Sequence, residues 1–210
     1  MKDVVRGMAQ IVGGLLLVLA VGGGVLYYVK MEAVSIGHDA MAPTLVAGDR
    51  VLVWKTTEFE RGHIALCPHP AEPGRFVMGR VVAFEGSQLS MERAGILRVD
   101  GRSPERDVRG EVPFDDNERR GRVRMRWGTE SIHGHDYTFF EMVDRTPHIR
   151  PHRVERGMYL LADNRSSFGE DSRSYGDVRP ETCIGRVFLR LTSAGRTPDV
   201  IGNRALDYVE

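Results

Sequence analysis

Residues 11–29 (IVGGLLLVLAVGGGVLYYV) are an apolar run of 19 positions, and no charge interrupts the chain from Gly7 to Val29. A helix needs about 20 such residues to cross a bilayer, so the pattern predicts one membrane-spanning helix. A cleavable export signal has a shorter apolar stretch, about 7–15 residues, followed by a small-x-small site. Here the flank reads Tyr27-Tyr28-Val29-Lys30-Met31-Glu32. Residues 1–30 therefore read as a cytoplasmic tip and an uncleaved anchor, with the lipid bilayer as partner of 11–29. The five glycines in the run would weaken a soluble helix but are common in membrane helices. Lys2 and Arg6 precede the run and Lys30 alone follows closely. That bias sets the N-terminus in the cytoplasm and residues 31–210 outside it, on the cell membrane.

Beyond the anchor the apolar positions come in short runs: 48–54 (GDRVLVW), 62–67 (GHIALC), 76–84 (FVMGRVVAF), 95–99 (GILRV), 158–162 (MYLLA) and 183–191 (CIGRVFLRL). Runs of this length, punctuated by Gly and Pro, predict strands. Asp100-Gly101 adds a hairpin turn after the fourth. Residues 103–126 (SPERDVRGEVPFDDNERRGRVRMR) carry few apolar positions and read as a surface excursion, and 163–177 reads as a polar loop. The expected architecture is a mainly β, antiparallel domain over 31–210. Its core is split between 31–88 and 153–196, with an inserted cap at 89–152 and a tail at 197–210. There is no internal repeat and no long soluble amphipathic helix.

Composition narrows the function classes. Hydrophobic residues at 41% and a mean hydropathy of −0.28 exclude a disordered chain and a polytopic membrane protein. The formal net charge is zero, so nothing recommends a nucleic acid as partner. The basic residues are 26 Arg and three Lys, at positions 2, 30 and 55. Cys67 and Cys183 lack zinc-site spacing. In an exported domain they form either a disulfide, if their Cα atoms come within ~7 Å, or two buried thiols. His133-Gly134-His135-Asp136 has metal-like composition but reads as a polar turn, so neither metal nor cofactor is expected.

Three separated segments, in order, resemble the bacterial signal peptidase I family, membrane-anchored serine proteases that remove signal peptides from exported preproteins. Ala40-Met41-Ala42-Pro43-Thr44-Leu45, with Gly48-Asp49-Arg50, is similar to the family's Ser-Met-x-Pro-Thr-Leu segment and the Gly-Asp entry to its next strand. Arg80-Val81-Val82 is similar to the Lys-Arg-Val-Val strand, and Arg61-Gly62-His63-Ile64 to Arg-Gly-Asp-Ile. Asp163-Asn164-Arg165 and Asp171-Ser172-Arg173 are similar to Gly-Asp-Asn-Arg followed by Asp-Ser-Arg. The resemblance covers the anchor and the proposed core and leaves the cap unmatched. It implies a signal-peptidase-like antiparallel β fold with an inserted cap, behind one N-terminal transmembrane helix. It also departs in places: Ala162 replaces a glycine, His63 replaces an aspartate, and five residues rather than four separate Arg165 from Asp171.

The family cleaves with a serine nucleophile and a lysine base whose pKa is lowered by burial. The matching positions here are Ala40 and Gly79, so the resemblance implies a member without its catalytic dyad. Beyond Lys55 there is no lysine at all, and an arginine with a pKa above ~12 cannot accept a proton. Ser35 and Lys55 are the candidates for a displaced dyad. Ser35, His38 and Asp39 resemble a triad in composition only, since neighbours on a strand point to opposite faces. The Ala40 N–H survives as an oxyanion donor beside His38, and His38, Asp39, Ala40, Met41 and Pro43 are candidates to line a peptide groove. Arg80, Asp163, Asn164, Arg165, Asp171, Ser172 and Arg173 are the expected framework beneath it. The expected function is binding of signal peptides or exported subunits, or assistance to secretion or assembly, without cleavage. The alternative is an active signal peptidase with a displaced dyad.

Overall fold

The computed structural model describes all residues except 1, 92–94, 117–120, 133, 146, 168–169, 203–204 and 210; the side chains of 2–10 and 26–29 are also not described. The chain divides into two units, 1–32 and 33–210. In the first, the apolar run winds into α1 (Lys2–Lys30), and its described side chains, at 11–25 and 30, are exposed. Among the described residues, no helix is long and apolar enough to cross a membrane.

The second unit is built on antiparallel strands. The largest sheet has seven, in the order β1 (Met31–Ser35), β2 (Arg50–Trp54), β12 (Gly185–Thr192), β3 (Ile64–Pro68), β4 (Phe76–Phe84) and β11 (Met158–Leu161), with β13 (Asp207–Tyr208) beside β12. The central strands are apolar on both faces: Val51 and Val53, Ile64 to Cys67, and Val77 to Ala83 are buried. Continuous apolar runs are what a strand covered on both sides requires. Cys67 and Cys183 meet as a disulfide with Cα atoms 4.0 Å apart, closing a separation of 116 residues. A disulfide over so long a loop chiefly restricts the unfolded chain. Replacing both cysteines by alanine is expected to lower stability by about 2–4 kcal/mol, read as a lowered urea midpoint with a steeper slope, because the unfolded chain without the crosslink is more expanded.

The segment between the two halves of this sheet is not a surface excursion. Residues 105–116 and 121–132 form β7 and β8, which pair along their whole length and continue into β9 (His135–Met142). Alternation explains the difference. Val112 and Phe114 point inward from β7, and Met125 and Trp127 from β8, while Glu111, Pro113, Asp115, Arg124 and Arg126 take the alternate positions between and beside them. These inward residues join Phe140, Ala42 and Val46 in one cluster, so this sheet packs against the chain that follows β1. A third sheet orders β10 (Ile149–Arg153), β5 (Gln88–Met91) and β6 (Leu97–Val99). Leu89, Met91, Leu97 and Ile149 from it share a cluster with Val82, Tyr159 and Leu161 of the large sheet. The turn expected at Asp100-Gly101 is present: both residues have positive φ (52° and 77°), and Val99 and Arg102 exchange backbone hydrogen bonds across it.

Candidate functional site

The site is assembled where three chain segments meet: 38–44, the middle of β4, and the loop 162–173. The loop is held by its own side chains. Asp171 caps the short helix α2 (Ser172–Tyr175) by accepting from the Arg173 N–H, and its carboxylate also takes the Ala162 N–H at 3.0 Å. Arg173 returns a guanidinium to Asp171 at 2.8 Å and donates to the carbonyls of Arg165 and Ser167. The Ser172 hydroxyl accepts from the Leu160 N–H at 2.9 Å, which ties the loop to β11.

Beneath the loop lies a buried charge network. Arg80 and Asp163, both with fully buried side chains, form a two-pronged pair at 2.9 and 2.7 Å. Thr44 donates its hydroxyl to the same carboxylate at 2.5 Å, and Arg80 donates a third bond to the Gly62 carbonyl. Planar guanidinium and carboxylate groups match in this way, which is why arginine suits buried pairs. Arg80 also stacks over the Tyr137 ring at 4.4 Å. On the other side of that ring's hydroxyl, Glu130 accepts from Tyr137 at 2.6 Å and from Arg165 at 2.8 Å. Burial first, and then Glu130, push the Tyr137 phenol well above its ordinary pKa, so it remains a donor. Burial is the strongest influence on Arg165 and opposes its charge, but Glu130, Tyr137 and Asp163 together outweigh it, so the guanidinium stays protonated.

The framework residues expected from sequence, Arg80, Asp163, Asn164, Arg165, Asp171, Ser172 and Arg173, are thus brought together. Their partners Glu130 and Tyr137, on β8 and β9, were not foreseen. A glutamate and a tyrosine on the inward face of alternating strands are the only signal the sequence holds for them.

Asn164 connects this framework to residue 40. Its N–H donates to the Ala40 carbonyl at 2.9 Å, and its side-chain amide to the Asp39 carbonyl at 3.3 Å. Asp39 is fully buried and paired with Arg196 at 2.8 and 2.9 Å, while also accepting from the Ala47 N–H. It is therefore a structural carboxylate, held by Arg196 and the Ala47 N–H. The His38 ring accepts the Ala40 N–H at Nδ1, at 3.4 Å, and faces Glu170 with Nε2, at 3.9 Å. Ser35 is exposed on β1, so Ser35, His38 and Asp39 are not assembled into a triad. Lys55, one residue past β2, is exposed as well. Neither Ser35 nor Lys55 sits in the sheltered environment that a lowered-pKa lysine and its serine require.

Ala40, Met41 and Ala42 have no exposed surface, and Met41 belongs to the core beneath β2 and β3 rather than to an open groove. Pro43 follows a cis peptide bond, and its carbonyl accepts from the Thr197 hydroxyl. Gly79 is buried in β4 opposite Ala65 of β3, and on its other side the Leu160 side chain fills the space. A Cβ placed on Gly79 would lie 2.8 Å from the Leu160 Cβ, closer than such atoms approach. The Glu170 carboxylate bridges the two walls of this region, pairing with Arg75 at the start of β4 and facing His38 on the other side. His135, at the start of β9, packs its ring edge toward His63 at 6.3 Å, and His133 lies outside the described residues. Among the described residues, no group of three His, Cys, Asp or Glu side chains is placed to hold a metal ion.

The model of the family described as signal peptidase, peptidase S26, matches residues 8–192. The chain belongs to this signal peptidase family. No curated protein matches it. Within the signal peptidase match lie α1 from Met8 onward, all three sheets except β13, and every framework residue described above. The mainly antiparallel β architecture agrees with that membership.

Proposed function

We propose that this signal peptidase family member is anchored in the cell membrane and engages exported peptides or subunits without cleaving them. The observation that carries the reading is the filled site: a buried methyl group at position 40, and Leu160 packed where a side chain on residue 79 would stand. A Ser-Lys mechanism needs a hydroxyl and a sheltered amine at touching distance. The framework of Arg80, Asp163, Asn164 and Arg165 persists regardless, because it holds the loop to the sheet.

Peptide engagement is supported by the edge of β4. β11 pairs with β4 only from Arg80 to Phe84, whereas β3 pairs with it from Phe76 to Arg80. Among the described residues Val77 and Met78 thus have a strand neighbour on one side only, the situation in which an extended peptide adds as a further strand. A peptide entering there takes the place of the Glu170 carboxylate between Arg75 and His38. Anchoring is supported by residues 11–25 of α1, which carry no charged or polar side chain on any face; a helix hydrophobic all round is covered by something other than water. The disulfide fits a domain outside the reducing cytosol.

The test is photo-crosslinking of a signal-peptide segment with an Ala-x-Ala end to the full-length protein in detergent. Crosslinks to β4 are expected, increased several-fold in Glu170→Ala and accompanied by no shortened product. Absence of crosslinks in both proteins, or processing by the unaltered protein, overturns the reading.

A further inference from the structure

The sheet of β10, β5 and β6 buries one face and turns the other outward. On the outward face lies a groove of about 390 Å³, whose polar lining includes Gln88, Ser90, Arg98 and Arg153. Register explains why these four share it. Arg153 stands opposite Gln88, Arg98 stands opposite Ser90, and Gln88 and Ser90 are two positions apart on the middle strand. From strand spacing, the two arginine Cα atoms are diagonal across the sheet and roughly 12 Å apart. Two guanidinium groups therefore reach over the groove from opposite edges, with an amide and a hydroxyl between them.

Neither arginine has an acidic partner among the described residues. Two carboxylates bonded to strand residues of this sheet are engaged elsewhere. Asp100 takes the Gln88 N–H at 2.9 Å and faces Arg61 at 3.3 Å, and the Gln88 N–H bond is the first cause that holds it below its ordinary pKa. Asp177 holds the His152 ring and the Glu155 N–H, both at 2.8 Å. The groove also stays open at its end, since a Cβ on Gly101 would meet nothing.

We propose that this groove is a binding site for a phosphate group. The chemistry favours phosphate over carboxylate. One fork of an arginine saturates the two coplanar oxygens of a carboxylate, whereas a tetrahedral phosphate offers oxygens in several directions and accepts two forks and a hydroxyl at once. The phosphate of a lipid headgroup and free phosphate share this chemistry, and the experiment separates them.

The full-length protein in maltoside micelles is titrated with inorganic phosphate and, separately, with short-chain phosphatidylglycerol, following the arginine side-chain Nε–H resonances. The Arg98 and Arg153 signals move together and saturate. Arg98→Gln and Arg153→Gln each weaken binding by about tenfold, as loss of a charge-assisted pair implies. Arg98→Lys, which keeps the charge but not the fork, weakens it less. Arg150→Gln, on exposed β10 but outside the groove, leaves it unchanged. Tighter binding of phosphatidylglycerol assigns the site to headgroups, and tighter binding of inorganic phosphate assigns it to the free ion; either supports the site. Signals that follow sodium chloride equally well at matched ionic strength overturn it. So does acetate binding as tightly as phosphate, or undiminished affinity in the folded double variant.

Discussion

Placing a serine and a lysine at the two positions that match the family's dyad, Ala40→Ser with Gly79→Lys, is expected to leave the full-length protein unable to process a preprotein. Restoring a nucleophile and its base is worth on the order of 10⁶ in turnover when both reach the reacting geometry. Here geometry withholds it. The Cβ of a lysine at 79 meets the Leu160 Cβ at 2.8 Å, and contacts of 3.4 Å to the Leu160 carbonyl carbon and the Leu161 nitrogen follow behind it. Leu160 cannot drift aside cheaply, because its N–H is bonded to Ser172 and its strand is paired with β4. Forcing the side chain in costs about 1–3 kcal/mol of packing strain and turns the amine away from residue 40. Removing the obstructing carbon as well, in Ala40→Ser, Gly79→Lys, Leu160→Gly, is expected to give the first detectable processing. Even one per cent of a restored dyad would stand about 10⁴ above the double variant. Detergent-solubilised proteins, checked for native circular dichroism and incubated with an Ala-x-Ala preprotein, decide it. Equal processing by double and triple variants would show that Leu160 is no obstacle.

The legible part of the fold was its strongly apolar part. β4 runs from Phe76 to Phe84 as its continuous apolar run predicts, because a strand covered on both faces cannot hide among polar residues. β7 and β8 were invisible to the same reading, since charged residues fill most of their exposed positions and dilute the inward Val112, Phe114, Met125 and Trp127. Their burial is evident only when alternate residues are counted. The site divides in the same way. Motif order brought Arg80, Asp163, Asn164 and Arg165 together, but the glutamate that neutralises Arg165 lies 35 positions away in a strand no motif marks. Leu160 at Gly79 depends on the irregularity in pairing between Tyr159 and Leu160, which shifts β11 along β4. Such a register is set by packing across the sheet and leaves no trace in residue type.

Replacing Asp163 by alanine is expected to be among the most destabilising single changes in the 33–210 unit. The carboxylate accepts two bonds from Arg80 and one from Thr44, and both charged side chains are fully buried. A surface pair contributes about 0–1 kcal/mol, because water supports each partner once the other is gone. A buried pair behaves differently. Loss of one partner strands a guanidinium without its countercharge, at a cost of about 3–5 kcal/mol. For a chain of this size each kcal/mol lowers the melting temperature by about 2–4 °C, so a drop of roughly 10 °C is expected by circular dichroism. The effect travels further than stability. Asn164, the next residue, holds the carbonyls of Asp39 and Ala40, so loosening the loop frees the segment that faces the peptide edge of β4. Pairing the change with Arg80→Met removes the stranded charge, and the double variant is expected to regain most of the loss. A single variant that melts within about 3 °C of the unaltered protein would mean that water reaches Arg80. The Arg80–Asp163 pair would then lie in an open cleft rather than in a sealed interior.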